Sequence, residues 1–345
     1  MFHRHFLACC SIFSVLLIAA FTSCNPGSSA DNKNDGLTAA DSILLKSIDG
    51  LTQLIQQDSL NPSLYFKRAK LYREKEDFAS AATDMYIVLS LDSTKHEYWL
   101  YTAQLFWDGG ETNRAISALD RAISIDSANI PYYIAASRFL FIDSQYVPSL
   151  AYLNKALERD IFNPEIYFYK GMVYKETGQM DKAISSFQTA VEQDPTFYDA
   201  FVQLGLLHRV KNPKLAEQYL NNALKNKPTG EDALYAKGFQ QQELKRFAEA
   251  AVTFRSLVDI NPQHDEALYA LGYSLLMMDS LPEAYRLFDL ATKANPAYAE
   301  AYYKKGVCAE QLNRKDEAII LYKNCLNLKD YKPASDALSR LGITY

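Results

Sequence analysis

Three histidines outside the N-terminal leader, His96, His208 and His264, could take part in acid–base or metal chemistry, but they share no motif. Metal sites and catalytic centres need several groups at a fixed spacing, as in H-E-x-x-H or paired C-x-x-C motifs. The sequence has neither, and it also lacks G-x-S-x-G, a P-loop and a Rossmann glycine fingerprint. We therefore predict a protein that is not an enzyme and needs no metal or cofactor, with each histidine at the surface or in the core.

Thiol chemistry is the second candidate. Cys308 and Cys325 lie seventeen residues apart, and an oxidising compartment would permit a disulfide between them. The repeat pattern described below places Cys325 toward the following unit, so we predict two buried thiols instead.

The composition excludes several other classes of protein. The chain has 345 residues, of which 48% are apolar and 22% charged, which is enough apolar material for a large core. Its formal net charge of -5 argues against nucleic acid as a partner, because nucleic-acid binding needs a basic surface. Five cysteines in a chain of this length exclude a disulfide scaffold.

Residues 1–23 are typical of an export signal, because Arg4 precedes an uncharged run over residues 6–21. As a helix, this run would be about 24 Å long, too short for a hydrocarbon core of ~30 Å. It ends in the letters FTSC, which resemble the lipobox of bacterial lipoproteins, although Phe21 stands where Leu is usual. The resemblance implies a lipoprotein signal peptide over residues 1–23 and lipid attachment at Cys24. An ordinary signal peptide or an uncleaved anchor is the alternative.

Residues 24–37 are polar and rich in Gly, Ser and Asn, which predicts a flexible tether. Asn25 follows the cysteine, whereas an Asp at that place commonly signals inner-membrane retention in lipoprotein sorting. This resemblance implies a bacterial cell-envelope protein, lipid-anchored in the outer membrane and facing either the periplasm or the exterior.

A period of 34 residues runs through the rest of the chain, with a single interval of 33. It is marked by small residues at Ala69, Ala103, Ser137, Gly171, Gly205, Gly238, Gly272 and Gly306. Apolar residues at offsets of three, four and seven predict two helices of about 14 residues in each unit. The small residues mark where the two helices cross, and a single pair cannot bury its apolar face, so the units must stack.

The pattern resembles the tetratricopeptide repeat (TPR), whose units carry Leu-Gly, Ala, an aromatic residue and Pro at fixed places. Residues 265–298 show it most fully, with Leu268, Leu271, Gly272, Leu275, Ala284, Phe288, Ala291 and Pro296. The resemblance implies an all-α fold, a right-handed superhelical α-solenoid of helix hairpins. The predicted repeats are 62–95, 96–129, 130–163, 164–197, 198–230, 231–264, 265–298 and 299–332. Capping helices are expected at residues 38–61 and 333–345.

In a TPR stack the first helices line the concave surface. Within each first helix the face opposite the core falls at repeat positions 2, 5, 9, 12 and 13. Position 5 is apolar or aromatic in all eight repeats, and position 9 changes from polar to apolar along the chain. An exposed apolar strip often marks a binding site. The predicted peptide-binding residues are Phe66, Trp107, Phe168, Met172, Tyr235, Phe239, Tyr269, Tyr273 and Tyr303.

Two structural interpretations compete with this hypothesis. Position 5 is also the place where a TPR side chain partly covers the neighbouring helix. Residues 276–278 and their neighbours would, in the second interpretation, pack against the next helix of the same chain.

Position 2 carries an acid in six of the eight repeats, at Glu97, Glu165, Asp199, Asp232, Glu266 and Glu300. Acids in the first turn of a helix complement its dipole, by ~0.3–1 kcal/mol each. The row could additionally favour ligands with Lys or Arg. The TPR class that grips a C-terminal carboxylate uses Lys at position 5 and Asn at position 9, and neither occurs here. Chaperone-tail binding is therefore not expected.

These observations predict a membrane-tethered TPR lipoprotein that serves as a protein–protein interaction adaptor or scaffold. Its groove would bind a peptide or a segment of an envelope protein of unknown identity. The alternative is a glycan-binding envelope lipoprotein, since aromatic faces also stack on sugars, although the regular repeat spacing leaves no room for inserted sugar-binding loops.

Overall fold

The structure, a computed structural model, describes residues 46–344. The predicted signal peptide at 1–23, the lipid site at Cys24 and the tether at 24–37 lie outside the described residues. Within residues 46–344 every regular element is an α-helix, and there are eighteen of them. The all-α prediction is therefore confirmed.

The helices form successive antiparallel pairs between two single helices. They are α1 (Ile48–Gln57), α2 (Pro62–Glu74), α3 (Phe78–Leu91), α4 (His96–Asp108), α5 (Thr112–Ile125), α6 (Ile130–Ile142), α7 (Tyr146–Leu157), α8 (Pro164–Glu176) and α9 (Met180–Gln193). They continue with α10 (Tyr198–His208), α11 (Pro213–Asn226), α12 (Glu231–Glu243), α13 (Phe247–Ile260), α14 (Asp265–Leu276), α15 (Leu281–Ala294), α16 (Ala299–Gln311), α17 (Lys315–Leu328) and α18 (Lys332–Arg340). Each predicted repeat holds one pair, whose members we call its first and second helix.

Close packing at the crossing point explains the small residues of the period. A Cβ atom added at Gly171 would lie 2.6 Å from the ring of Phe187, and one at Gly238 would lie 2.7 Å from the ring of Phe254. In the third repeat a serine stands on each helix at the crossing point. There, Ser149 Oγ donates a hydrogen bond to the backbone carbonyl of Ser137 at 2.9 Å. The small series therefore lets the first helix lie against a large side chain of the second.

The turn between the two helices of a repeat contains one residue with a left-handed (positive φ) backbone conformation, at the same position in seven of the eight repeats. Gly110 and Gly178 occupy it with φ of 76° and 74° in the second and fourth repeats. Five other repeats place a residue other than glycine there: Glu76, Ser144, Lys245, Asp279 and Asn313, with φ between 57° and 62°. The fifth repeat is one residue shorter, and Asn212 at its turn has φ of -144°.

Single helices cover both ends of the stack. Leu51 of α1 is fully buried, and the guanidinium of Arg68 donates to Thr52 Oγ1 at 2.9 Å and to both carboxylate oxygens of Asp84. At the other end, Leu338 of α18 is fully buried against the last pair. Both ends of the apolar core are thus closed by helices, as a stack of repeats requires.

None of the helices in the described part of the chain is both long and apolar enough to cross a membrane.

Candidate functional site

The first helices lie closer together than the second helices. First helices of neighbouring repeats contact one another directly at α6–α8, α10–α12, α12–α14 and α14–α16. Among the described residues, no two neighbouring second helices make contacts of comparable extent. A stack that is tighter on one side curves around that side. We call the concave surface made by the first helices the first-helix groove.

Position 5 contacts the residue at the end of its own repeat that leads into the next helix, instead of facing a ligand freely. The ring of Phe168 lies 5.1 Å from that of Phe197, the residue just before the next first helix. The same relationship links Tyr235 to His264 at 5.9 Å, Tyr269 to Tyr298 at 5.0 Å and Tyr303 to Tyr331 at 5.2 Å. The structural interpretation of position 5 therefore holds at these four junctions.

For Phe168 the prediction of a binding residue is wrong. Its side chain is only 7% exposed and belongs to the core cluster around Phe187. It is covered because Tyr169, Phe187 and Phe197 surround its ring. Of the other predicted residues at this position, Phe66, Tyr235, Tyr269 and Tyr303 are half-buried and keep part of their surface toward solvent.

At position 9, the aromatic residues Phe239 and Tyr273 are half-buried and partly covered by cations of the same chain. The guanidinium of Arg209 lies 4.8 Å from the ring centre of Phe239, and Lys304 Nζ lies 5.1 Å from that of Tyr273. Met172 is half-buried against the cluster around Phe187. The expectation of an uncovered apolar strip is thus corrected: this side of the groove is aromatic and cationic, since Arg and Lys pack well on aromatic faces.

Trp107 is also engaged within the chain. Its indole stacks on the ring of Phe139 in the next repeat, with centroids 4.4 Å apart and planes 3° from parallel. The side chain is half-buried, so it offers a ligand only the part not covered by Phe139.

Residues 276–278 differ in burial. Leu276 packs against the apolar core cluster that runs through the sixth, seventh and eighth repeats. Met277 and Met278 are 48% and 47% exposed, so they do not pack on the next helix. They lie at the turn between the two helices of the seventh repeat, at the edge of the groove.

Three central acids of the row are desolvated by the surrounding protein. Glu165 and Asp232 are exposed and Asp199 is half-buried, yet burial among the surrounding protein raises the pKa of all three carboxyls. The charge of Asp232 raises the pKa of Asp199 further. Contact with solvent combined with strong desolvation is what a concave surface produces. At the C-terminal end of the row, the carboxylate of Glu300 is paired within the chain, because it accepts a hydrogen bond from Lys329 Nζ at 2.6 Å.

Tyrosines lie among these acids, and sequence reasoning missed them. Burial raises the pKa of Tyr169, the guanidinium of Arg138, 5.8 Å from its ring centre, opposes this, and the charges of Glu165 and Asp199 raise the pKa further. The hydroxyl of Tyr198 accepts from the backbone N–H of Ala233 at 3.1 Å. The unusual number of tyrosines in the chain was the available signal, but their repeat positions, 6 and 1, were not among those expected to face a ligand.

The three histidines and two cysteines among the described residues contact other groups of the same chain or are buried in its core. His264 Nδ1 accepts from the N–H of Ala267 at the start of α14, His96 Nδ1 bonds the Tyr132 hydroxyl, and His208 stacks on Tyr219. Cys308 and Cys325 are buried and unbridged, as predicted, and burial raises their pKa to about 12 and about 11. Within the described residues no three His, Cys, Asp or Glu side chains are grouped so that they could hold a metal ion.

Comparison with family models covers most of the helical pairs. Residues 66–130 and 269–324 match one model described as a tetratricopeptide repeat, and residues 164–197 and 232–264 match two further models with that description. Together these segments make up more than half of the chain. The chain belongs to the tetratricopeptide repeat family. TPR proteins are scaffolds for protein–protein interaction, which use the extended concave surface of the stack.

Individual relatives are distant. Human tetratricopeptide repeat protein 13 is 28% identical over 123 residues, which is 35% of this chain and 14% of that protein. The TPR repeat-containing protein MJ1428 of Methanocaldococcus jannaschii is 22% identical over 201 residues, 55% of this chain and 35% of the relative. The chain thus spans well under two thirds of the length of these relatives.

Among solved structures, the C-terminal part of a TPR repeat-containing protein from Cytophaga hutchinsonii matches with a TM-score of 0.57 at 18% identity. The match covers 71% of this chain and 99% of that one. At this identity the likeness shows the fold alone.

Proposed function

We propose that this protein is a non-enzymatic, membrane-tethered adaptor whose first-helix groove binds an extended segment of another envelope protein. The observation that carries the proposal is the set of half-buried aromatic rings on adjacent first helices. Tyr235 and Phe239 on α12, with ring planes 13° from parallel, neighbour Tyr269 and Tyr273 on α14.

Half-buried aromatic side chains suit a protein ligand. They are already held by contacts with their own chain, as Phe239 is by Arg209 and Tyr273 by Phe247 and Lys304. Such side chains lose little conformational entropy on binding while still offering apolar surface, and aromatic residues are common anchors of interfaces.

The membrane tether rests on the sequence before the helical stack. The signal-like run over residues 1–23, Cys24 and the polar stretch 24–37 together support a lipid anchor followed by a flexible spacer. Asn25 after the cysteine supports the outer membrane. A Cys24→Ala variant should lose incorporation of radiolabelled fatty acid and appear in the soluble fraction, whereas labelling that persists would contradict the anchor.

Affinity capture tests the adaptor function. The tagged full chain is used to capture partners from detergent-solubilised envelopes, beside a Phe239→Ser/Tyr273→Ser variant and a control, Tyr86→Ser. Tyr86 is 78% exposed on the second helix α3, away from the groove. We expect the same protein set with the wild type and the control, and its loss with the groove variant, while circular dichroism shows equal helix content.

Two results would overturn the proposal. Undiminished capture by the Phe239→Ser/Tyr273→Ser variant would show that the groove is not the binding surface. Recovery of oligosaccharide without any protein would favour the glycan-binding alternative.

A further inference from the structure

Repeat positions 3 and 10 are where a first helix packs on the first helix of the preceding repeat. Tyr98, at position 3 of the second repeat, lies edge to face with Phe66 of α2, with ring centres 4.9 Å apart. Phe139, at position 10 of the third repeat, stacks on Trp107 of α4. The burial of these two positions therefore shows whether a preceding first helix covers them.

In the second to eighth repeats these positions are covered. Position 3 is buried in all seven: Tyr98, Tyr132, Ile166, Ala200, Ala233, Ala267 and Ala301. Position 10 is buried in six of the seven and half-buried at Leu207. In the first repeat the corresponding residues are Leu64 and Leu71, and both are only half-buried. They lie seven residues apart on one face of α2, which leaves an apolar strip at the start of the stack.

The described residues supply no first helix to cover this strip. The one element before α2 is α1, which takes the place of a second helix, with Leu51 fully buried. In the register of the repeats α1 begins at position 21, at Ile48, whereas α3 begins at position 17, at Phe78. Ser47, which caps α1, has extended backbone with φ of -137° and ψ of 153°. The chain therefore enters α1 four residues later than it enters a complete second helix.

The segment that precedes α1 has the length to reach the strip. The four-residue link 58–61 makes α1 and α2 antiparallel neighbours, so the start of α1 lies beside the end of α2. Packed helices are about 8–10 Å apart. The four residues from Ser47 back to Ile43 span up to about 14 Å when extended. Ile43 can therefore contact Leu71, which lies in the last turn of α2.

The composition of this segment suits the strip as well. Residues 43–45 are Ile, Leu and Leu, whereas residues 24–37 contain a single large apolar residue, Leu37. Burying leucine and isoleucine side chains against Leu64 and Leu71 removes apolar surface from water on both sides. The apolar part of the chain before α1 is thus the part that lies within reach of α2.

The charges of the two partners are complementary. Residues 24–45 carry three acids and one base: Asp31, Asp35, Asp41 and Lys33. Helix α2 carries four bases and one acid: Lys67, Arg68, Lys70, Arg73 and Glu74. Lys67 stands between Leu64 and Leu71 at position 6, is exposed, and forms no ion pair within residues 46–344. Position 6 also faces the preceding first helix, because the Tyr101 hydroxyl donates to the carbonyl of Ala69. An acid two residues before Ile43, at Asp41, matches this lysine.

We propose that residues 38–45 dock on α2 and complete the N-terminal end of the stack. Ile43 and Leu44 cover Leu64 and Leu71, and Asp41 pairs with Lys67. The segment before α1 then takes the place that a preceding first helix has in every later repeat.

Accessibility of the strip tests the inference on the full chain in detergent. In a Leu71→Cys variant, the rate of alkylation at residue 71 by iodoacetamide is followed by peptide mass mapping. The same rate is measured after Ile43→Ser/Leu44→Ser is added. We expect alkylation about tenfold faster with the serine segment, because the docked segment opens more often. Equal rates would overturn the inference.

A second site on the same helix end provides the control. Lys75 follows α2 directly and is exposed. A Lys75→Cys variant should react at the same rate with either segment, while circular dichroism shows equal helix content. An equal acceleration at residues 71 and 75 would mean that the serine segment loosens the whole helix, and would contradict docking on the strip.

The same measurement distinguishes the other possible occupants. Protection of residue 71 that survives the serine segment and grows with protein concentration would assign the strip to a second copy. Protection that appears only when the captured envelope partner is added would assign it to that partner. Either result would overturn docking of residues 38–45.

A zero-length cross-link tests the charge pair without any substitution. A carbodiimide joins a carboxylate to an amine only where the two are in contact. Mass spectrometry should find residue 41 joined to residue 67 at low protein concentration. Cross-links from Asp41 to other lysines without any to Lys67 would contradict the proposed position of the segment.

Discussion

The ring of Tyr269 lies 5.0 Å from the ring of Tyr298. Tyr269 is in the first helix of the seventh repeat, and Tyr298 is the residue just before the first helix of the eighth. The pair therefore joins the first helix of the seventh repeat to the residue that caps the first helix of the eighth. In a stack of repeats each unit contacts only its neighbours, so such junctions set both the stability of the stack and the course of the groove.

Replacing Tyr298 by Ala should weaken this junction. We expect a loss of about 2 kcal/mol in the free energy of unfolding, since an aromatic pair and a half-buried ring are removed. Urea unfolding followed by circular dichroism measures it. The control is Tyr86→Ala on the outer surface, where we expect a change within about 0.5 kcal/mol. Equal effects of the two variants would show that the junction contributes nothing specific.

The left-handed turn at Lys245 offers a stabilising substitution. Lys245 has φ of 57°, which costs about 1–2 kcal/mol for a residue with a Cβ. Lys245→Gly should therefore raise the free energy of unfolding by about 0.5–1 kcal/mol, after the extra entropy of glycine in the unfolded chain is subtracted.

The fifth repeat supplies the control for this substitution. Lys211 lies in the corresponding turn, where no left-handed residue occurs because the repeat is shorter. Lys211→Gly should destabilise the protein slightly. Stabilisation by both variants would contradict the explanation from backbone conformation.

The helical pairs could be predicted from the sequence because their physical causes are local. The spacing of Gly171, Gly238 and the other small residues reports where a helix must lie against a large side chain such as Phe187 or Phe254. The left-handed turn could not be predicted in most repeats. Only a glycine would have indicated it, and residues such as Glu76 and Lys245 occupy the position instead.

Removing a desolvated charge should stabilise the protein at neutral pH. Burial and the charge of Asp232 raise the pKa of Asp199 in the folded state, so its ionised form is less favourable there than in the unfolded chain. The control is Asp181, which is exposed in the first turn of α9, a second helix. Asp199→Asn should therefore be more stable than Asp181→Asn, by about 0.5 kcal/mol or more. Both variants lose a similar helix-dipole interaction, which cancels in the comparison.

The pH dependence of the free energy of unfolding provides a second test of this prediction. A raised folded-state pKa means that the folded wild type binds the proton more tightly, so its stability falls as pH rises through that pKa. The advantage of Asp199→Asn should appear over this range and vanish at acid pH, where Asp199 is protonated. An advantage that persisted in acid would contradict the assignment to charge.

The two thiols should be unreactive in the folded protein. Burial raises the pKa of Cys308 to about 12 and that of Cys325 to about 11, so almost no thiolate is present at pH 8. Iodoacetamide followed by peptide mass mapping should label neither cysteine in the native protein and both in urea. The result should be the same with and without reductant, and labelling in urea only after reduction would show a disulfide.

The groove could be predicted only in part. The first helices were assigned correctly to the concave side, but burial of Phe168 depends on Phe197, the last residue of the fourth repeat, which caps the next first helix. The cover over Phe239 depends on how the long side chain of Arg209 reaches across from a neighbouring repeat. Such contacts between units are set by three-dimensional stacking, which a single-repeat pattern does not report.

Hydrogen–deuterium exchange of the full chain with its captured envelope partner tests the central claim most directly. We predict slower amide exchange on binding in the first helices α8, α10, α12 and α14, with little change in the second helices α9, α11 and α13. Slower exchange confined to the second helices, or to the turn at Met277 and Met278, would contradict binding in the first-helix groove.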